Sequence, residues 1–143
     1  MLPKYLAPAL VSFSCVIVPL AQAVETLPAD TPSQVGGIEA VCTGVGLPAR
    51  QDARWSAYPL KIEIAGQHGQ YLGDVTMAIA SGEKEILRMR CDGPWILLRL
   101  PPGRYQVQAE TEGKTAQSSA LVPQTGQARV ILRFPELGGQ ISP

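Results

Sequence analysis

The chain has 143 residues, with 12 lysines and arginines against 12 aspartates and glutamates, so its formal net charge is zero. No global cationic field exists to draw nucleic acid, and the length suits one domain around one core. With 14 glycines and 13 prolines the composition disfavours a helical bundle and suits short strands punctuated by turns.

Residues 1–23 read as a secretory signal peptide. Lys4 supplies the positive start, Leu6 to Leu20 is an apolar stretch interrupted by Pro8 and Pro19, and Ala21-Gln22-Ala23 meets the small-x-small rule for cleavage after Ala23. The stretch falls short of the roughly 20 continuous apolar residues of a membrane span. The processed chain is therefore expected in the periplasm or outside the cell, and not as an integral membrane protein. Cys15 raises lipidation as an alternative, but Ser12-Phe13-Ser14 is a poor attachment motif and apolar residues continue beyond it.

Residues 24–37 are rich in Pro, Thr, Ser and Gly and read as a flexible lead-in. A folded domain is expected over 38–135, with a loose Gly-rich tail over 136–143. Ile38 to Val41 suits a short strand pinned by Cys42. After processing only Cys42 and Cys91 remain, and in an oxidising compartment two cysteines read first as one disulfide. Such a bridge closes a loop of about fifty residues. Two cysteines and a single histidine make a poor zinc site, and neither a metal nor a cofactor is expected.

Leu47 to Ala57 is the one expected helix, of two or three turns. Pro48 fits its first turn, Ala49, Arg50, Gln51, Ala53 and Arg54 favour it, and Pro59 ends it. From there the pattern switches to period two. Leu60, Ile62 and Ile64 alternate with Lys61 and Glu63, and Val75, Met77 and Ile79 follow after a Gly66–Gly69 turn. Further strands are expected over Glu85 to Cys91, Trp95 to Leu100, Arg104 to Glu112, Lys114 to Val122 and Ala128 to Phe134. Asp92-Gly93-Pro94 and Pro101-Pro102-Gly103 punctuate them, since Pro lacks the N–H and Gly takes special backbone angles. Seven short strands joined by turns predict an all-β, antiparallel β-sandwich with one short N-terminal helix.

Tyr58-Pro59-Leu60-Lys61-Ile62-Glu63-Ile64, Gly69-Gln70-Tyr71-Leu72-Gly73-Asp74-Val75, Asp92-Gly93-Pro94-Trp95 and Leu100-Pro101-Pro102-Gly103-Arg104-Tyr105 together resemble the carboxypeptidase regulatory-like exported bacterial proteins. Those belong with the transthyretin-like, prealbumin-type seven-stranded sandwiches, and the likeness runs from about Gly44 to Phe134. The resemblance implies a non-catalytic binding or structural-interaction module with no catalytic residues to carry over. Cys42 and Cys91 depart from the family's usual pattern, both beside turns, as suits a staple.

The candidate sites are few. His68 is the only histidine and lies in a Gly-flanked turn, with no motif naming partners for a triad. Asp74 and Asp92 neighbour glycines and are expected to bond turn backbone. Trp95 and Tyr105 read as core or sandwich-edge residues, Tyr105 bonding a nearby turn, or else as an aromatic platform for a glycan or peptide. Arg88 and Arg90 share one face of their strand, as do Arg129 and Arg133, so neighbouring strands would unite them in a basic stripe for carboxylates or phosphates. The duller reading is a solvated face that discourages edge aggregation. The partner is expected to be another envelope protein or a glycan. A carbohydrate-binding or envelope-assembly accessory is the alternative function, and a small transthyretin-like hydrolase a distant third.

Overall fold

The computed structural model describes residues 3–4, 7–17, 24–135 and 137. The expected cleavage point after Ala23 and, apart from Leu137, the expected tail 136–143 lie outside them. In chain order the elements are β1 (Ser33–Val35), β2 (Ile38–Thr43), α1 (Leu47–Arg50), a 3-10 turn (Ala53–Ala57), β3 (Leu60–Gly66), β4 (Val75–Ser81), β5 (Lys84–Cys91), β6 (Trp95–Leu98), β7 (Gly103–Thr111), β8 (Lys114–Val122) and β9 (Ala128–Phe134).

Two sheets result, one of five strands in the order β1-β2-β6-β3-β9 and one of four in the order β5-β4-β7-β8. The alternating positions decide which faces meet. Leu60, Ile62 and Ile64 of β3 join Val75, Met77 and Ile79 of β4, Leu87 and Met89 of β5, and Tyr105 and Val107 of β7 in one buried core. The fold is thus β-sandwich-like.

Three features depart from expectation. The described residues form nine strands rather than seven: the short strand expected over Ile38 to Val41 joins the sheet as β2, and β1 is added before it. The sandwich is not purely antiparallel, since β3 and β9 pair in parallel from Leu60↔Ala128 to Gly66↔Phe134. Residues 24–37 also do more than lead in. The Arg90 N–H donates to the Glu25 carbonyl at 2.8 Å, the Leu27 N–H to the Arg90 carbonyl at 3.0 Å, and the Asp30 N–H to the Cys42 carbonyl at 2.8 Å. Leu27 is buried in the core. These partners are distant in sequence, so no local periodicity announces them.

The expected helix splits in two. Asp52 accepts the Arg54 backbone N–H on its carboxylate at 2.9 Å and starts the 3-10 turn afresh. A short polar side chain that competes for backbone groups breaks a helix in this way. Strand β6 shows why Trp95-Ile96-Leu97-Leu98 lacks alternation: all four residues are buried, because both faces of this central strand are covered. Ile96 and Leu98 face the core, while Leu97 packs with Val41, Trp55 and Tyr58 on the other side.

Cys42 of β2 and Cys91 of β5 form a disulfide, with Cα atoms 5.5 Å apart, that ties one sheet to the other. The Asp92-Gly93-Pro94 turn follows at once. A Cβ on Gly93 would stand 2.4 Å from the Thr43 carbonyl oxygen, so only glycine lets the turn pass this close. Among the described residues no helix is long and apolar enough to cross a membrane.

Candidate functional site

The arginines divide between the sheets. Arg88 and Arg90 lie exposed on β5 in the four-stranded sheet, and Arg129 and Arg133 lie exposed on β9 in the five-stranded one. Period two places each pair on one face of its own strand, but the topology sends the strands to different sheets. The single basic stripe therefore does not form. Three of the four arginines are spent on carboxylates. Arg88 pairs with Glu85 at 2.6 Å, Arg90 with Asp74, and Arg129 with Glu63.

Trp95 and Tyr105 are both buried, so neither offers its ring as an open platform. The Tyr105 hydroxyl donates to the Pro101 carbonyl at 2.7 Å and fastens the Pro-Pro-Gly turn to β7. Trp95 lies on the outer face of the five-stranded sheet inside a charged and aromatic layer. The Lys61 ammonium stands 3.3 Å from its ring centroid, and Tyr71 meets it edge-on at 6.0 Å. Gly44, at φ +97°, lies so close that a Cβ there would approach the indole Cγ to 2.7 Å. The indole Nε1–H is buried without a hydrogen-bond partner among the described residues.

Glu63 is the least expected member of this layer. By alternation with Ile62 and Ile64 it belongs to the solvent side, yet its side chain is 2 % exposed. Its carboxylate accepts from Arg129 and from the Tyr71 hydroxyl at 3.3 Å, and Lys61 stands 3.5 Å away. The cross-strand pair Glu63↔Trp95 explains the burial, since a large ring beside the carboxylate excludes water. A second cluster joins Glu39, Arg99 and Tyr58. Glu39 accepts from Arg99 at 2.8 Å and from the Tyr58 hydroxyl at 3.0 Å. The Arg99 hydrogen bond, aided by Tyr58, holds the Glu39 carboxyl below its ordinary value. Burial, then the Glu39 carboxylate, pushes the Tyr58 phenol up. Both clusters satisfy their own charges and so hold elements together rather than present reactive groups.

His68 is exposed in the loop after β3, where its backbone N–H donates to the Gln70 side chain at 2.9 Å. Among the described residues no group of three His, Cys, Asp or Glu side chains is placed to hold a metal ion.

The sheet edges differ more than the faces do. Strand β1 is three residues long. Strand β5 carries Lys84, Glu85, Arg88 and Arg90, and Thr26 bridges to it at Arg90. Strand β9 carries Arg129 and Arg133. Strand β8 differs: it is nine residues long, contains no proline, and carries no charge beyond Lys114. Its pairing with β7 runs unbroken from Gly103↔Val122 to Thr111↔Lys114, so no bulge twists it away. Among the described residues no strand is hydrogen-bonded to its outer side, although β9 passes close along it. Short strands, charges, bulges and covering segments are the usual means of blunting an edge; β8 has only Lys114 at one end and the nearby β9. Sequence alone could have raised this feature, because Thr115 to Val122 is an uncharged, proline-free run; what it could not supply was the strand order that leaves the run at an edge. No protein-family model matches the chain, and no curated protein matches it.

Proposed function

We propose that the chain is an exported, non-catalytic binding or structural-interaction module of the carboxypeptidase regulatory-like, transthyretin-like type, acting in the periplasm or outside the cell. The observation that carries the reading is β8, a terminal strand of nine residues without proline and with no charge beyond Lys114, where the other terminal strands are short or charged. Such an edge offers a row of N–H and C=O groups to an extended partner. Export is supported at the other end of the chain. Leu10, Val11, Phe13, Val16 and Ile17 are all exposed, whereas pairing with β5 begins at Glu25, just beyond the expected cleavage point. Burial of Trp95 and Tyr105 counts against the glycan platform, so another envelope protein is the favoured partner.

The test is fractionation followed by capture. N-terminal sequencing of the exported protein should begin at Val24, and the tagged protein should retain a defined envelope protein from detergent extract. Intact Met1 recovered from the cytoplasm would sink the export reading. A turnover activity lost on His68→Ala would replace the module with an enzyme.

A further inference from the structure

At one end of the sandwich a cleft of about 450 Å³ is lined from both sheets, by Ile38 of β2, Ser81 of β4, Lys84 and Ile86 of β5, Leu100, and Tyr105 of β7. Its floor is the core itself. Leu100 and Tyr105 are buried, and Ile38 and Ile86 are partly buried and packed against the same cluster. Ile86 arrives there through a break in the pairing. Ile79 faces Leu87 but the next residue, Ala80, faces Glu85, so Ile86 is the extra residue of a β-bulge. Bulges re-aim a side chain, and this one gives the cleft an isoleucine. The polar groups are few. The Tyr105 hydroxyl is committed to the Pro101 carbonyl. Glu85 is taken by Arg88 at 2.6 Å, and Glu83 lines the trough of Ala78 and Ala80 on the outer face instead. Lys84, at the rim, is exposed and forms no ion pair among the described residues. The described parts of the two terminal segments lie at the far end, where Thr26 bridges Arg90 and the Leu137 carbonyl accepts the Gln67 N–H at 3.0 Å.

We propose that this cleft binds a small amphipathic carboxylate, its apolar chain against Ile38, Ile86, Leu100 and the Tyr105 ring and its head group at Lys84. The inference goes beyond the module reading and uses no part of β8. An apolar floor with one charged group at the mouth is the usual make-up of a small-molecule site, and such sites span roughly 300–1,000 Å³. Space of about 450 Å³ holds roughly fifteen groups the size of water, at about 30 Å³ each. A chain of about eight carbons therefore fits with its carboxylate at the rim. A cation at the mouth selects the anionic head, because the free charge among the residues lining the cleft is that of Lys84.

The probe is octanoate, titrated into the isotopically labelled full chain. Amide signals of Ile38, Ser81, Ile86 and Leu100 should shift and saturate at millimolar octanoate. Those of Gly44 and Gly73, beside Asp92 at the far end, should stay in place. The neutral analogue 1-octanol should bind about fivefold more weakly, the upper range for one exposed charge pair. Lys84→Gln should bring octanoate down to the level of 1-octanol. Ser81→Trp, which fills the rim, should remove the cleft shifts while the rest of the spectrum is unchanged. Absence of cleft shifts in the wild type overturns the inference, as do shifts confined to the exposed Leu10, Phe13 and Ile17. Equal affinity for octanoate and 1-octanol also overturns it, and so does a preference for octanoate that survives Lys84→Gln. If Ser81→Trp fails to fold, the wild-type shifts and Lys84→Gln decide alone. Envelope capture tests the module reading only, so the two fail separately.

Discussion

Glu63 shows how one residue can escape a correct pattern. Its place in the alternation of β3 was readable, and the outer face was the right face, but sequence could not show that Trp95, Tyr71 and Arg129 roof that face over. A carboxylate 2 % exposed and surrounded by Lys61 and Arg129 holds those cations in place. Glu63→Ala should cost about 2–3 kcal/mol in urea denaturation, below the 3–5 kcal/mol of a fully buried pair, because Arg129 is more than half exposed and can rehydrate. A loss under about 0.5 kcal/mol would show the cluster to be ornamental. The Glu39 cluster gives a pH signature instead. Its folded carboxyl titrates below the ordinary value of 4.5, first because of Arg99 and then because of Tyr58. The unfolded chain therefore takes up the proton first as the solution is acidified. The stabilisation is complete above about pH 4.5 and disappears as the pH falls through the lower folded value. Arg99→Met should flatten the acid side of the stability profile, and an unchanged profile would refute the assignment.

At the scale of elements, the strands that alternate were legible and those that do not were legible only by their punctuation. All seven strands expected from Leu60 onward are present, because half-buried strands advertise themselves at period two. The doubly covered β6 was found through the turns at its ends. Pairing over Glu25 to Asp30 stayed hidden because its partners, Arg90 and Cys42, are far along the chain. The Asp92-Gly93-Pro94 turn was visible as a breaker, but its closeness to β2 was not. Since a Cβ on Gly93 would press the Thr43 carbonyl at 2.4 Å, Gly93→Ala should destabilise by about 1–3 kcal/mol through displaced backbone. Gly113→Ala is the informative comparison. That glycine, at φ +73°, has open space around its Cβ position, so only backbone strain should be felt there. Equal losses at both sites in thermal denaturation would mean that proximity to Thr43 contributes nothing.

For the whole molecule, the side where β2 and β5 approach is closed twice. The Cys42–Cys91 bridge joins the sheets through the core, and the chain from Glu25 to Asp30 crosses over the same place, bonding Arg90 of β5 and then Cys42 of β2. Leu27 fills the space between, 3 % exposed. The bridge was readable from the cysteine count and the expected oxidising compartment, whereas the strap over it was not, being a long-range pairing without a motif. With 49 residues of sequence separation, the disulfide should contribute about 4 kcal/mol by restricting the unfolded chain. Leu27→Ala should cost about 2–4 kcal/mol in the oxidised protein, as for other buried leucines. The two closures are not independent, because Leu27 keeps its pocket only while β2 and β5 are held at their present spacing. Removing both cysteines as alanines should therefore make Leu27→Ala less costly, with a coupling of at least about 0.5 kcal/mol. Four proteins compared by denaturant titration decide the matter: wild type, the double cysteine variant, Leu27→Ala, and all three changes together. Losses that simply add within about 0.3 kcal/mol would mean the strap and the bridge close the sandwich separately. Coupled losses, together with faster amide exchange at Leu27 and Arg90 once the cysteines are gone, would mark the disulfide as the clasp that keeps the N-terminal strap seated.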